Sequence, residues 1–142
     1  IIRLPPLARP SMSSPSPSPL VALLGGRPDA PALGAPGRVS RRYAELAALL
    51  AASGARLAEA GIDRGDTVAI VLPNGAAMAS CFLAVAAHCT AAPLNPAYRE
   101  AEFEFYLDDL RPKALILPQG DASPARAVAT RLGIPLLELA ED

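Results

Sequence analysis

The side chains from which proteins usually build metal and catalytic sites are scarce in this sequence. Its 142 residues hold one histidine (His88), two cysteines (Cys81 and Cys89) and no tryptophan. A structural zinc site takes four ligands, often with a close cysteine pair, so these three residues do not make one. Both cysteines lie in an alanine-rich apolar segment, where a free thiol behaves as a small hydrophobic group. We therefore expect buried, reduced and unreactive thiols, which fits a cytoplasmic protein, with the peroxisome as the alternative compartment.

An excess of charge of one sign is also lacking. The formal net charge is −1 and Lys113 is the only lysine, so we expect no basic face suited to nucleic acid. Arg38, Arg41 and Arg42 cluster before a predicted helix, where three charges are typical of solvated surface. The longest apolar run, residues 76–94, is mostly alanine and includes polar residues and a proline, so it does not have the composition of a membrane span. We expect neither a nucleic acid nor a membrane as partner.

Residues 1–19 differ from the rest of the chain in composition. They contain six of the 16 prolines, a Ser-Pro repeat over residues 14–19 and no acidic residue. Such a segment buries too little apolar surface to order itself, so we predict a disordered head over residues 1–19. Met12 followed by two serines is typical of a translation start. We favour an origin of residues 1–11 in upstream translation or in an incomplete gene assignment over an organelle transit peptide.

From Leu20 onward the apolar pattern switches repeatedly between that of helices and that of buried strands. The predicted elements are a helix over 20–24, a strand at 32–33, a helix over 43–60, a strand over 67–72, a helix over 75–87 capped by Asn74, a strand over 91–94, a helix over 99–110, a strand over 114–117, a helix from Pro124 to Gly133 capped by Ser123, and a strand over 135–139. Connections of two to six residues between alternating strands and helices imply right-handed crossovers. The sequence therefore predicts an α/β fold, a mostly parallel three-layer sheet with helices on both faces, as one domain over residues 20–142.

Three candidate sites can be read from the sequence, and each has a plainer interpretation. Pro73-Asn74-Gly75 joins a strand to a helix, where α/β folds bind anions, but it lacks the lysine and further glycine of a phosphate loop and is interpreted as a turn. His88 has no nucleophile or acid nearby in sequence, which favours a structural role over that of a general base. A group of acids could suggest a divalent cation, but they flank the apolar stripe of one helix and are interpreted as a solvated face. This group is Glu100, Glu102, Glu104, Asp108 and Asp109. The residues alone predict no catalytic, cofactor-binding or metal-binding side chain.

Three portions of the chain together resemble the N-terminal part of the AMP-forming acid–CoA ligases, over about residues 20–139. Residues 43–46 (Tyr-Ala-Glu-Leu), with residues 61–62 (Gly-Ile) and 65–69 (Gly-Asp-Thr-Val-Ala), are similar to the first helix and strand of that family. Residues 72–74 (Leu-Pro-Asn) with residues 82–85 (Phe-Leu-Ala-Val) are similar to the next unit. The most specific portion is residues 90–107, where Thr-Ala-Ala-Pro-Leu-Asn is followed by Glu-Phe-Glu-Phe-Tyr-Leu. It looks most like the plant oxalate–CoA ligase branch, which is close to the 4-coumarate–CoA ligase-like proteins.

The resemblance implies the N-terminal subdomain of the adenylate-forming ligase fold. Members of that family use ATP and Mg²⁺ to convert a carboxylic acid, here expected to be oxalate, into an acyl-adenylate that CoA then attacks. The family's phosphate loop, its adenine-, magnesium- and ribose-binding acids and its catalytic lysine match no residue of this chain, so no catalytic position carries over. We expect a fragment that is inactive alone and binds no cofactor by itself. The alternative is a non-catalytic binding or regulatory module that associates with a full-length ligase.

Two helix starts and one strand bear on the stability of such a fragment. Arg42 and Arg99 stand where the resemblance implies Ser or Thr, three residues before Glu45 and Glu102. We expect each helix to lose its side-chain cap, at a cost of about 0.5–2 kcal/mol each, with Ser40 as a displaced candidate for the first. The strand over 135–139 has few charges, so we expect a bare sheet edge there and self-association of the chain.

Overall fold

The computed structural model describes residues 2–3 and 18–140. Within them lie seven strands and five helices: β1 (Ile2–Arg3), α1 (Pro19–Ala22), β2 (Pro31–Leu33), β3 (Arg41–Arg42), α2 (Tyr43–Glu59), β4 (Thr67–Ile70), α3 (Ala76–Ala86), β5 (Thr90–Pro93), α4 (Glu100–Leu110), β6 (Ala114–Pro118), α5 (Pro124–Arg131) and β7 (Leu136–Leu139). From α2 onward, helices and strands alternate as the sequence predicts.

A parallel four-stranded sheet forms the centre of the fold. The strand order is β1-β7-β6-β4-β5, and β4 pairs in parallel with β5 on one side and with β6 on the other. Ala69 in β4 lies between Ala92 and Leu115. β7 continues the parallel sheet beyond β6, while β2 and β3 form a separate antiparallel hairpin. The prediction of a mostly parallel α/β sheet is confirmed.

Helices cover both faces of this sheet. On one face, Leu57 of α2 and Val85 of α3 pack against Val68 and Ile70 of β4. On the other face, α4 and α5 cover the alternate residues of the same strands. The members of that second cluster are Ala69, Val71, Phe103, Leu107, Leu115, Leu117, Ala125, Val128 and Ala129. Since successive strand residues point to opposite faces, the consecutive apolar residues 68–70 of β4 and 114–118 of β6 produce this three-layer arrangement.

A smaller apolar cluster lies between α2, α3 and the N-terminal elements. Leu46 and Leu50 of α2 pack with Ala84 and Ala87 at the end of α3. α1 and the β2–β3 hairpin cover this cluster with partly buried apolar side chains, among them Leu20. The N-terminal elements therefore add a further layer on the α2–α3 side of the sheet.

The two unusual helix starts keep half of their capping boxes. The N–H of Arg42 donates to Glu45 Oε2 at 2.7 Å, and the N–H of Arg99 donates to Glu102 Oε2 at 2.8 Å. An arginine side chain has no acceptor, so the other half of each box, from the cap side chain to the helix backbone, cannot form. The predicted loss of the side-chain cap is confirmed at both helix starts, while the bond from each glutamate back to the cap backbone is kept. Ser40 does not replace it, because the N-cap of α2 is Arg42.

Two predicted helix caps and two short strands complete the local comparison with the sequence prediction. α3 begins after Gly75, with no side-chain cap, so Asn74 is not the cap. The Ser123 cap of α5 is confirmed by its Oγ, which accepts the N–H of Ala125 at 3.2 Å. β3 and the short β1 were not predicted, because strands of two residues have no periodicity to read.

The predicted disordered head lies mostly outside the described residues, which exclude 4–17. The prediction for the head as a whole is not tested, and the structure describes only the backbone at its two ends. Ile2–Arg3 pairs antiparallel with β7, opposite Leu139 and Glu138, and Pro19 begins α1 with Ser18 as its cap. β7 is therefore not the bare edge that the sequence predicts, because a second strand lies along part of it.

Candidate functional site

A crevice lies at the carboxyl ends of the neighbouring strands β4 and β6, because the helices that follow them cover opposite faces of the sheet. α3, which follows β4, lies on one face, whereas α5, which follows the neighbouring β6, lies on the other. In open α/β sheets, ligands bind where adjacent strands send their helices to opposite faces. The residues that line this position are those of the turns after β4 and after β6, residues 71–75 and 119–123.

The turn after β4 offers little chemistry to this crevice. Pro73, Asn74 and Gly75 are exposed and lead directly into α3. On the other side, Gly120 has a left-handed φ of 72°, and the N–H of Asp121 bonds the carbonyl of Pro118 at 3.2 Å in a tight turn. Neither turn holds a lysine, and a single glycine at each does not form the nest of N–H groups that cradles phosphate.

The Arg126 side chain reaches across the carboxyl edge between β6 and β7. Its Nε donates to the carbonyl of Asp121 at 2.8 Å, and its Nη2 lies 2.7 Å from Glu138 Oε1. Both side chains are about two-thirds buried. Because the guanidinium already binds a carboxylate and a carbonyl, it holds the β6–α5 turn against β7 rather than offering donors to a ligand. Sequence reasoning missed this pair, although an acid inside the apolar strand β7 indicates a buried partner.

The acidic helix face does not converge on a metal. Glu100 and Glu104 instead share one cation from the next helix: Arg131 Nη1 lies 2.9 Å from Glu100 Oε1, and its Nη2 lies 3.2 Å from Glu104 Oε1. Among residues 18–140 no three His, Cys, Asp or Glu side chains are placed to hold a metal ion. The acids are exposed along α4, and two of them bind α4 to α5.

His88 has structural contacts. Its Nε2 donates to the carbonyl of Leu50 at 2.7 Å, which fixes the proton on that nitrogen because a carbonyl only accepts. The ring lies over Gly54 of α2, where a side chain would collide with it. His88 therefore joins the end of α3 to the middle of α2.

The two cysteines are free and buried. Burial raises the pKa of the Cys81 thiol to about 12 and that of the Cys89 thiol to about 11. Both lie in the core cluster beneath α2 and α3, with Val85 and Ile70. A thiol that remains protonated at neutral pH is a poor nucleophile, so neither is suited to covalent catalysis.

Aromatic side chains of α4 form an exposed surface that sequence reasoning did not single out. Tyr98 and Tyr106 stack with ring centroids 5.1 Å apart, and Phe105 meets Tyr106 edge-on at 5.3 Å. The Phe105 side chain is 67% exposed and, with Leu132, lines a shallow groove beside Asp108. This groove is open to solvent and holds no group with reactive chemistry.

Among the side-chain contacts described above, none joins a nucleophile to a base. Arg38 and Arg42 are exposed, and Arg42 lies 3.8 Å from the exposed Asp29. None of the described helices has the length and hydropathy needed to cross a membrane.

Comparison with known proteins gives the family. The sequence pattern of the family described as AMP-binding enzyme matches residues 23–139. The oxalate–CoA ligase of Arabidopsis thaliana is 42% identical over 109 residues, which are 75% of this chain and 21% of that protein. The oxalate–CoA ligase of Saccharomyces cerevisiae is 42% identical over 84 residues, 56% of this chain and 16% of that protein. The chain therefore spans about a fifth of the length of these curated relatives.

The fold has the same relatives. The apo structure of MatB from Rhodopseudomonas palustris superimposes with a TM-score of 0.74 at 26% identity, covering 89% of this chain and 26% of that one. A parallel sheet in the order β7-β6-β4-β5 with helices on both faces is therefore the arrangement that this sequence shares with adenylate-forming ligases. From the family match and this fold together, the chain belongs to the AMP-binding enzyme family and resembles the N-terminal part of its acid–CoA ligases.

Proposed function

We propose that this chain is the N-terminal part of an acid–CoA ligase and that the acid of the whole protein is oxalate. The observation that carries the proposal is the 42% identity to the oxalate–CoA ligases of a plant and a yeast. The whole protein would join the carboxylic acid to AMP from ATP, release pyrophosphate, and pass the acyl group to CoA. Members of the family use ATP, Mg²⁺ and CoA for these steps.

The residues of this chain do not fit the nucleotide or the metal. The turns at the crevice between β4 and β6 lack a lysine and a glycine-rich loop, and the described acids do not converge on a cation. No step of the reaction is therefore assigned to a residue of this chain. Its role in the proposed enzyme is to provide a rigid sheet with helices on both faces, against which other segments are positioned.

A second candidate, the non-catalytic module, is supported by the completeness of the packing. In the described part of the chain no buried side-chain nitrogen or oxygen lacks a hydrogen-bond partner. A three-layer unit with a satisfied core can fold without further segments. Such a module would bind a full-length ligase without changing the chemistry. We propose the cytoplasm as the site of either function, with the peroxisome as alternative, and a fluorescent fusion of the intact gene product would distinguish the two.

A segment exchange tests the main proposal. The matching segment of the Arabidopsis oxalate–CoA ligase is replaced by residues 23–139 of this chain, and oxalate-dependent formation of a CoA thioester is measured. Retained activity with unchanged preference for oxalate over malonate is the expected result. The unmodified enzyme and an enzyme lacking the segment are the controls, and circular dichroism melts show whether each variant folds. A folded but inactive exchange variant would contradict the proposal and favour the separate module.

A further inference from the structure

The parallel four-stranded sheet ends in β5 on one side and in β7 on the other. The outward-facing edges of these two strands differ in the number of backbone N–H and C=O groups that they offer. Along β5, the N–H of Thr90 bonds the Asp66 carbonyl at 3.0 Å and the N–H of Leu94 bonds the Ile70 carbonyl at 2.9 Å. Since alternate residues of a strand direct their backbone groups to opposite sides, Ala91 and Pro93 face outward. Proline has no N–H, so this edge offers one complete donor and acceptor pair.

The edge of β7 offers two such pairs. The carbonyl of Pro135 accepts the N–H of Leu115 at 2.9 Å, and the carbonyl of Leu139 accepts the N–H of Gln119 at 2.9 Å. Odd-numbered residues of this strand therefore face β6, and the backbone groups of Leu136 and Glu138 face outward. We call these groups the outer edge of β7. It is the better template for an added strand, and charges that would discourage pairing are few along it.

Part of the outer edge of β7 is covered by the chain itself. Arg3 lies opposite Glu138 and Ile2 opposite Leu139 in antiparallel register. Because Glu138 is the outward-facing residue of the two, Arg3 and Glu138 are the pair that can exchange both backbone hydrogen bonds, and Ile2 and Leu139 are the pair that does not.

A second copy of the chain can use the same edge more completely. Two β7 strands in antiparallel pairing across a two-fold axis bring Leu136 of each opposite Glu138 of the other. In that arrangement two pairs of opposite residues exchange backbone hydrogen bonds, whereas Ile2–Arg3 provides one such pair. The two Glu138 residues do not lie opposite each other in it. The self-complementary patch is what a two-fold interface requires.

We propose that the outer edge of β7 is an interaction surface for an antiparallel strand, that Ile2–Arg3 occupies it as a built-in cap, and that β7 of a second copy takes its place when the cap is removed.

Backbone amide exchange by nuclear magnetic resonance tests the cap. The full chain is compared with Arg3→Pro, which removes the one N–H that can donate to Glu138, and with the matched control Ile2→Pro, whose N–H does not face β7. The Glu138 amide is expected to exchange about fivefold faster or more in Arg3→Pro, while Leu137 and Leu139, which face β6, are unchanged. Equal Glu138 exchange in the two variants would overturn the proposal, as would equal acceleration of all three amides, which would indicate general destabilisation.

Sedimentation, together with amide exchange, tests whether β7 of a second copy pairs with the outer edge of β7. A variant lacking residues 1–11 is expected to dimerise at tens to hundreds of micromolar, with the Glu138 and Leu136 amides protected as the concentration rises. The full chain and Ile2→Pro are expected to show no such concentration-dependent protection. A truncated variant in which Glu138 exchanges freely at every concentration would overturn the claim that a second β7 takes this edge.

Discussion

His88 lies directly against the backbone of Gly54, so that a methyl group at Gly54 would come within 2.6 Å of the ring nitrogen Nε2. The same nitrogen donates to the carbonyl of Leu50, one turn earlier in α2. The absence of a side chain at Gly54 thus allows the end of α3 to approach α2 closely. Glycine inside a helix usually costs about 1 kcal/mol relative to alanine, and this contact is the compensation.

Gly54→Ala is therefore expected to lower the free energy of unfolding by about 1–3 kcal/mol, although the substitution favours an isolated helix. Urea denaturation measures the effect. In a His88→Ala background the same change should become neutral or stabilising, because the ring is gone. Equal effects of Gly54→Ala with and without His88 would show that the contact does not govern the position.

The half-formed capping boxes predict a stabilising substitution. Arg99→Ser provides the acceptor that α4 lacks and keeps the bond from the Arg99 backbone N–H to Glu102. We expect a gain of about 0.5–2 kcal/mol in the free energy of unfolding. Arg99→Ala removes the same charge without supplying an acceptor and is the matched control. If Ser and Ala give equal stability, the missing half of the box has no energetic weight.

The buried thiols predict a loss of stability at alkaline pH. Burial raises the pKa of Cys81 from 9.0 to about 12, so the unfolded chain releases this proton at a lower pH than the folded one. Stability is then fully present below pH 9.0 and falls as pH rises toward 12, by at most about 1.4 kcal/mol per pH unit for one thiol. Melts of the protein and of Cys81→Ala between pH 8.5 and 11 measure the difference in slope. Parallel curves would contradict the assigned shift.

The exposed aromatic surface of α4 predicts self-association that is independent of β7. Phe105 is 67% exposed and Leu132 37% exposed, and together they line the open groove beside Asp108. Phe105→Lys should shift sedimentation toward the monomer without lowering the melting temperature, because little buried area is lost. Ala101→Lys, exposed on the same helix, is the control for the added charge. An unchanged association constant would exclude this surface.

The sequence patterns that predicted the fold correctly are local and periodic. The apolar stripe of α2 and the uninterrupted apolar runs of β4 and β6 each require only neighbouring residues to interpret. The contacts that were missed join distant positions: His88 with Gly54, Arg126 with Glu138, and Ile2–Arg3 with β7. No pattern within a single segment encodes such pairs, since each depends on which elements become neighbours after folding.

In the candidate site, too, the local features were predictable from the sequence and the contacts between distant residues were not. From residue types alone, Pro73-Asn74-Gly75 was interpreted as a turn, and the structure shows an exposed turn there that leads into α3. The acids of α4 were interpreted as a solvated face, but the bond from Arg131 to Glu100 and Glu104 requires knowledge that α5 packs beside α4. That the chain supplies no catalytic residue stays a prediction.

Acid-dependent exchange of pyrophosphate into ATP tests the central claim most directly, because it reports adenylate formation without requiring CoA. The isolated chain is assayed with Mg²⁺ and oxalate or coumarate, beside the full-length Arabidopsis oxalate–CoA ligase as a positive control. A fragment that provides only the scaffold of such an enzyme should give exchange at background with every acid, while the control exchanges with oxalate. Oxalate-dependent exchange above background by the isolated chain would contradict the account, since it would place the adenylating groups within these 142 residues.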